Sequence, residues 1–433
     1  MTVNSKKQEV FTPTPKRHGQ QLMDKKFIAR KALSRRQKDN SLVWGFIEPW
    51  IDETGWKIKD FAKIDTPCYM VDEKRLEHNL QILSKVQKAA GCKIIMALKG
   101  FAMFSAFPLI RKYLCGTEAS SLNEARLGFE EFGGEVHVFS PAFADSEFEE
   151  MTRYASHIVF NSFSQWKKFH ERALKKKISC GIRINPQHSE TGTALYDPCA
   201  PNSRLGVTRE NFKPELLDGI SGLHFHTLCE QGADAFVRTL EVFENKFGEF
   251  LARMKWVNFG GGHHITRKDY DVALLCRTIK EFKRRYPHLE IYLEPGEAIA
   301  LNAGVLVASV VDIFQNGMDI AVLDVSAATH MPDVIEMPYK PAILGAGMGD
   351  EYSFKYRLGG PSCLAGDIIG DYSFYKRLKV GEKLVFFNMA IYTMVKNTTF
   401  NGISLPSIIW RDKKGKIKVI RQFGYQDFKQ RLS

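Results

Sequence analysis

A chain of 433 residues is long for one hydrophobic core, so two packed units are the default expectation. With 44% hydrophobic and 12% aromatic residues, wholesale disorder is excluded. The net charge of +12 is concentrated: residues 1–40 hold eleven Lys and Arg against three acids, a balance of +8 that leaves +4 for the other 393 residues.

The body shows no nucleic-acid recognition module, and none is expected to bind there. Eight cysteines stand without CxxC pairs or metal-type spacing, which points to a reducing compartment and no metal site. No apolar run reaches membrane-spanning length and the N-terminus lacks an apolar signal core. The expectation is a cytoplasmic protein with no membrane partner.

Residues 1–60 read as a basic N-terminal extension, partly disordered, with Thr12-Pro13-Thr14-Pro15 as loose chain and Trp44, Trp50 and Trp56 as the point where order begins. Regular patterning starts at Thr66-Pro67-Cys68-Tyr69. A helix is expected over Asp72–Ala90, with an acid at its start and Gly91 as its stop. Eight short apolar runs follow, each trailed by helix-length sequence: Lys93–Leu98, Leu114–Glu118, Val136–Phe139, His157–Phe160, Cys180–Ile184, Ile220–His226, Trp256–Phe259 and Ile291–Glu294. Continuous apolar runs alternating with helices predict parallel strands buried on both faces. Eight such units predict an α/β fold, a (β/α)8 TIM-like barrel over residues 61–304. After residue 305 the texture becomes all-β. Val305–Ile313, Ile320–Asp324, Ser353–Leu358, Leu384–Asn388 and Ile417–Arg421 read as strands of a C-terminal β domain, 305–433, to which the run near Tyr69 is a candidate addition.

Barrel enzymes carry their chemistry at strand C-termini, and the residues there form an unusual set. Lys99 ends the first strand, where a lysine either forms a Schiff base or simply snorkels to the surface. Glu294 ends the eighth; it could hold a pyridine nitrogen protonated or be an ordinary rim acid. Gly260-Gly261-Gly262 follows the seventh strand, as a phosphate-binding turn or merely a tight one. His226, in Leu223-His224-Phe225-His226, could stack on a flat ring. Further on, Gly359-Gly360-Pro361-Ser362-Cys363-Leu364-Ala365-Gly366-Asp367 is a glycine-rich loop presenting a thiol and a carboxylate, able to donate a proton and meet an ammonium.

Taken in order over residues 64–425, these motifs resemble the fold-type III pyridoxal 5′-phosphate (PLP) decarboxylases, the alanine racemase-like enzymes that include ornithine, arginine and diaminopimelate decarboxylases. The resemblance implies PLP as cofactor, with Lys99 as the Schiff-base lysine, His226 on the ring, Gly260, Gly261 and Gly262 at the phosphate, and Glu294 at the pyridine nitrogen. It further implies Glu118 near the ring, Tyr392 at the phosphate, and Cys363 as the catalytic thiol donated across a homodimer with shared active sites.

Two departures are informative: Glu297 follows Glu294-Pro295-Gly296 where Arg is usual, and His226-Thr227-Leu228-Cys229 replaces the usual His-x-Gly-Ser. With Gly262-His263-His264-Ile265-Thr266 and His330-Met331-Pro332-Asp333, they resemble the carboxynorspermidine/carboxyspermidine decarboxylase branch of polyamine biosynthesis. That implies a cationic amino-acid substrate with Glu297, Asp333 and Asp367 as its carboxylate partners. The loss of Arg at 297 leaves its phosphate contact to another group. Ornithine, arginine or diaminopimelate decarboxylation is the alternative within the fold. A catalytically inactive regulatory relative is the alternative outside it, against which Lys99 and Cys363 are both retained.

Overall fold

The computed structural model describes residues 55–192 and 194–433. Most of the expected basic extension, including Trp44 and Trp50, lies outside the described residues.

The eight apolar runs form a closed, all-parallel barrel. Its strands are β2 (Lys93–Ala97), β3 (Gly116–Ala119), β4 (Glu135–Phe139), β5 (His157–Phe160), β6 (Ser179–Arg183), β7 (Ile220–His224), β8 (Trp256–Asn258) and β9 (Glu290–Leu293). Each pairs with its sequence neighbour, and β2 closes on β9 through Lys93–Tyr292 and Ile94–Leu293. Several strands stop earlier than the hydrophobicity suggested. Leu98, Phe225 and Phe259 are fully buried but belong to the turns that leave the barrel mouth. Before the barrel comes α1 (Glu73–Ala90), where the Asp72 carboxylate caps the first turn by accepting from Arg75 N at 3.0 Å and Gly91 ends it with φ +70°.

The second sheet has nine strands. It is built around β10 (Gly304–Asn316), whose 13 residues outreach the expected run. One half of β10 pairs with β1 (Cys68–Asp72) and β15 (Lys383–Phe387), the other with β11 (Met318–Leu323). Thus the early run near Tyr69 lies in this sheet and not in the barrel. β13 (Phe354–Gly359) and β17 (Ile417–Arg421) match their runs, whereas β12 (Ala346–Met348), β14 (Ile368–Phe374) and β16 (Ser407–Arg411) were not anticipated. Gly370 and Asp371 interrupt the apolar pattern of β14, and Pro406 stands directly before β16.

One hydrophobic core runs from Tyr69 and α1 through the barrel helices to Met394, so both sheets share packing. The N-terminal end of the barrel is closed by a polar layer in which Lys93 pairs with Glu135 at 2.6 Å and Glu290 at 2.7 Å. The opposite mouth is where the anticipated residues gather. No described helix is long and apolar enough to cross a membrane.

Candidate active site

Strand register brings the mouth residues together. Ala97 of β2 pairs with Glu118 of β3, and Leu98 N donates to Glu118 O at 3.0 Å as the chain turns into Lys99. On the other side of the β2–β9 seam, Glu294 N donates to Gly260 O at 2.8 Å. The Lys99–Gly100 turn touches Pro295–Gly296 so closely that a Cβ on Gly100 would lie 2.7 Å from Gly296 Cα. Only a glycine permits that approach.

Lys99 is half-buried and makes no hydrogen bond or close ion pair with a described residue, yet its charge acts on Glu118, Glu294 and His226. It is an amine held within reach of two buried acids. Those acids are driven apart. Burial pushes the Glu118 carboxyl up, opposed by Lys99 and reinforced by the negative charge of Glu294. Burial works against the Glu294 charge too, but His224 and Lys99 outweigh it and hold this carboxyl low. Glu294 Oε1 accepts from Asn258 Nδ2 at 2.6 Å and Oε2 from His224 Nε2 at 3.0 Å. Burial depresses the His224 pKa, opposed by the Glu294 charge that its Nε2 faces. Glu118 accepts from Ser120 Oγ at 3.2 Å through Oε1, while the buried Oε2 has no partner among the described residues.

The glycine turn is equally constrained. Gly260 and Gly262 have φ of +73° and +79°, and Cβ atoms on the three glycines would lie 2.3, 2.4 and 2.0 Å from the carbonyl oxygens of Phe225, Glu294 and Leu228. Gly261 N donates to His226 Nδ1 at 2.9 Å, which fixes the proton of the neutral ring on Nε2. Burial, then Lys99 and Arg183, push the His226 pKa well down. Arg183, nearly buried at the end of β6, donates to His226 O at 3.1 Å and stacks 4.5 Å over Phe139.

Glu297 opens the short helix Glu297–Ala300, and its Oε2 lies 2.8 Å from His264 Nε2. Ligand atoms of Glu230, His264 and Glu297 all fall within 4.8 Å of one another, making a compact acidic rim around one imidazole. Burial lowers the His264 pKa, but Glu297 outweighs it and the net shift is upward. Tyr392, at φ +50°, donates its N–H to Gly100 O at 2.9 Å, and burial plus Glu297 keep its hydroxyl protonated.

The remaining expected residues lie elsewhere. Asp333 is engaged by Lys396, which it shares with Glu336, although its charge still reaches Tyr339 beside Glu297 and Glu230. Asp367 is buried: its carboxylate accepts from Ala328 N at 3.2 Å and Ser362 N at 3.1 Å, bracing its own loop. Cys363 is exposed on that loop, with its N–H donating to Asn401 Oδ1 at 2.9 Å. Within one chain neither residue joins the Lys99 cluster. Sequence reasoning missed Asn258, Arg183, Glu230 and His264. The first two occupy the last positions of their strands, the position that had already singled out Lys99 and Glu294.

The donor set fits pyridoxal 5′-phosphate. That molecule asks for an amine at its aldehyde, a carboxylate at its ring nitrogen, a flat partner for its ring and an N–H-rich turn for its phosphate. Lys99, Glu294, His226 and the Gly260–Gly262 turn answer these in turn, and the orphaned Glu118 Oε2 marks a polar opening beside them.

Comparison with known proteins agrees. Residues 50–390 match the family model described as pyridoxal-dependent decarboxylase, C-terminal sheet domain. A carboxynorspermidine/carboxyspermidine decarboxylase of Campylobacter jejuni is 45% identical over 379 residues, 85% of this chain and 98% of the relative. A carboxyaminopropylagmatine decarboxylase of Synechocystis is 44% identical over 372 residues, 86% of this chain and 96% of the relative. The crystal structure of carboxynorspermidine decarboxylase from Campylobacter jejuni, complexed with norspermidine, superposes with a TM-score of 0.80 at 44% identity, covering 85% of this chain and all of that one. From the barrel mouth, its fitted donors and these relatives together, the chain belongs to the pyridoxal-dependent decarboxylase family.

Proposed function

We propose that this enzyme removes the α-carboxylate of carboxynorspermidine or carboxyspermidine, releasing norspermidine or spermidine, and that its active sites are shared across a cytoplasmic homodimer. The observation that carries the substrate reading is the acidic rim of Glu297 and Glu230 around His264, next to an amine flanked by Glu118 and Glu294. Such substrates pair an amino-acid head with a tail bearing a secondary and a terminal amine, both cationic at neutral pH. Charge-assisted hydrogen bonds from rim carboxylates would each contribute about 1.5–3 kcal/mol.

Bound PLP supplies an electron sink for the pair left when the bond from Cα to the carboxylate breaks. Lys99 would hold its aldehyde carbon. Glu294, kept ionised by Asn258 and His224, would accept a hydrogen bond from the ring N–H and so keep that nitrogen protonated. His226 presents a neutral face to the ring, oriented by Gly261 N–H. Because that N–H is committed to His226 and the Gly260 N–H to Asn258 Oδ1 at 2.8 Å, the phosphate would draw on the N–H groups from Gly262 onward and the Tyr392 hydroxyl. Glu297 and Glu230 orient the cationic tail, with Asp333 acting at longer range through Tyr339. Cys363, contributed by a second copy of the chain, returns a proton to Cα, its loop braced by Asp367 and Asn401. The eight free cysteines accord with a reducing cytoplasm.

A second reading has its own support. The Synechocystis relative is named for carboxyaminopropylagmatine, whose tail ends in a guanidinium in place of the terminal amine. The test is product identification by mass spectrometry after incubating the PLP-loaded enzyme separately with these three substrates, ornithine, arginine and meso-diaminopimelate. Norspermidine or spermidine as the dominant product is expected. Turnover confined to another substrate overturns the assignment.

A further inference from the structure

Behind the catalytic mouth, where the N-terminal end of α1 meets the β16–β17 hairpin, lies a cleft of about 850 Å³, within the range of small-molecule sites. Its lining holds seven Lys and Arg side chains against two acids. Both acids are already committed. Asp72 caps α1 and pairs with Arg411 at 3.0 Å, and Asp412 Oδ1 accepts from the backbone of its own turn at Lys414 and Lys416. Some of the cations are also neutralised, Lys413 by Glu77 at 2.6 Å and Arg267 by Asp269 at 2.5 Å. Lys74, Arg75 and Lys414 form no ion pair among the described residues. Arg75 is held in place by stacking, its guanidinium 4.5 Å over the Trp56 ring.

A second observation points to a ligand. Tyr270 lines the cleft at 7% exposure, and its buried hydroxyl has no hydrogen-bond partner among the described residues. The buried Oδ1 of Asn302, also in the lining, is equally unpartnered. Buried polar atoms are ordinarily satisfied, and an orphaned donor and an orphaned acceptor lining one cationic cleft call for an occupant offering both. The geometry points to a binding site for a phosphate-bearing metabolite of nucleotide size, its phosphates on Lys74, Arg75, Lys414 and the Tyr270 hydroxyl and a hydroxyl or amino group on Asn302. A guanidinium fork together with ammonium groups suits phosphate oxygens.

This cleft shares its walls with the active site. Ile265 and Thr266 continue the glycine turn beyond His264, and Leu301 and Asn302 follow the helix opened by Glu297. Thr266 Oγ1 donates to Ala298 O at 2.8 Å and Arg267 N to His264 O at 2.9 Å, tying the two walls behind the His264–Glu297 pair. An occupant therefore contacts the segments that set the acidic rim.

The experiment is isothermal titration calorimetry of the PLP-loaded enzyme with ATP in excess EDTA at 150 mM NaCl, with inorganic triphosphate and adenosine as separate arms. Binding of ATP is expected with Kd between about 10 µM and 1 mM, with weaker binding of triphosphate and none of adenosine. Tyr270→Phe, which keeps the packing, should weaken ATP roughly 3- to 10-fold, as loss of one hydrogen bond does. The Lys74→Glu/Lys414→Glu double variant should weaken it at least about 10-fold through two charge reversals on exposed, non-core positions. Absence of heat with both ATP and triphosphate overturns the proposal. So does ATP binding that persists unchanged in the double variant, which would place the nucleotide elsewhere.

Discussion

The backbone N–H of Gly261 donates to Nδ1 of His226 at 2.9 Å, so the turn expected to bind phosphate also sets the tautomer of the ring beside it. Gly261 is irreplaceable for a second reason, since a Cβ there would lie 2.4 Å from Glu294 O and 3.4 Å from His226 Cε1. Gly261→Ala should therefore displace the turn, His226 and Glu294 together. The expected outcome is cofactor affinity weakened at least about tenfold and stability lowered by about 1–3 kcal/mol, the usual cost of overpacking. Cofactor titration by absorbance and a thermal melt check both.

Glu294 is held by two donors, Asn258 Nδ2 at 2.6 Å and His224 Nε2 at 3.0 Å. Glu294→Gln removes the charge that keeps the ring nitrogen protonated, and kcat should fall roughly 10- to 150-fold, the equivalent of about 1.5–3 kcal/mol. Asn258→Ala leaves the charge and removes one donor, so its loss should be smaller. Equal losses in the two variants would show that Asn258 does more than hold Glu294.

His264 supplies a pH dependence with a definite sign. Glu297 raises its pKa in the folded protein above the ordinary 6.5 in spite of burial. Its pairing therefore contributes stability that is fully present below about pH 6.5 and is lost as pH rises through the raised value. The melting-temperature deficit of His264→Gln relative to wild type should be largest near pH 6 and shrink toward pH 9. A deficit that grows with pH would contradict the pair.

The fold was legible because buried parallel strands tend to be continuously apolar, a signature carried by β2, β4, β5 and β9, whereas β3 reads Gly116-Thr117-Glu118-Ala119 and β6 and β7 are broken by Gly181 and Gly222. Lys99 and Glu294 were legible because a charged residue finishing such a run has few structural uses. Asn258 escaped notice, and His224 stood only as the neighbour of His226, because their role exists only across strands, in the carboxylate they jointly grip. His264 carries no local sign of a function, since nothing near it in sequence reveals that a residue 33 positions away returns to it. β14 was hidden by Gly370 and Asp371. Asp367 looked like a ligand because a carboxylate in a glycine-rich loop resembles one. In the fold it accepts the backbone N–H of Ser362 in that loop and of Ala328 in the helix Ala327–His330.

Sharing of sites predicts complementation. Lys99→Ala and Cys363→Ala should each be nearly inactive alone. Mixed under conditions of subunit exchange, half of the dimers carry one of each chain and one intact site of two. Activity should recover to about a quarter of wild type. No recovery, with exchange verified by mass spectrometry, would place Cys363 outside the site.

The most direct test of the account is the ratio of kcat/KM for carboxynorspermidine to that for ornithine, in wild type and in Glu297→Gln. Ornithine has the amino-acid head and one amine but lacks the longer tail. If Glu297 grips that tail, the ratio should fall at least about tenfold, mainly through KM for carboxynorspermidine. A ratio unchanged while both substrates slow equally would mean that Glu297 serves the cofactor or the fold, and would contradict the assignment of the acidic rim to the substrate.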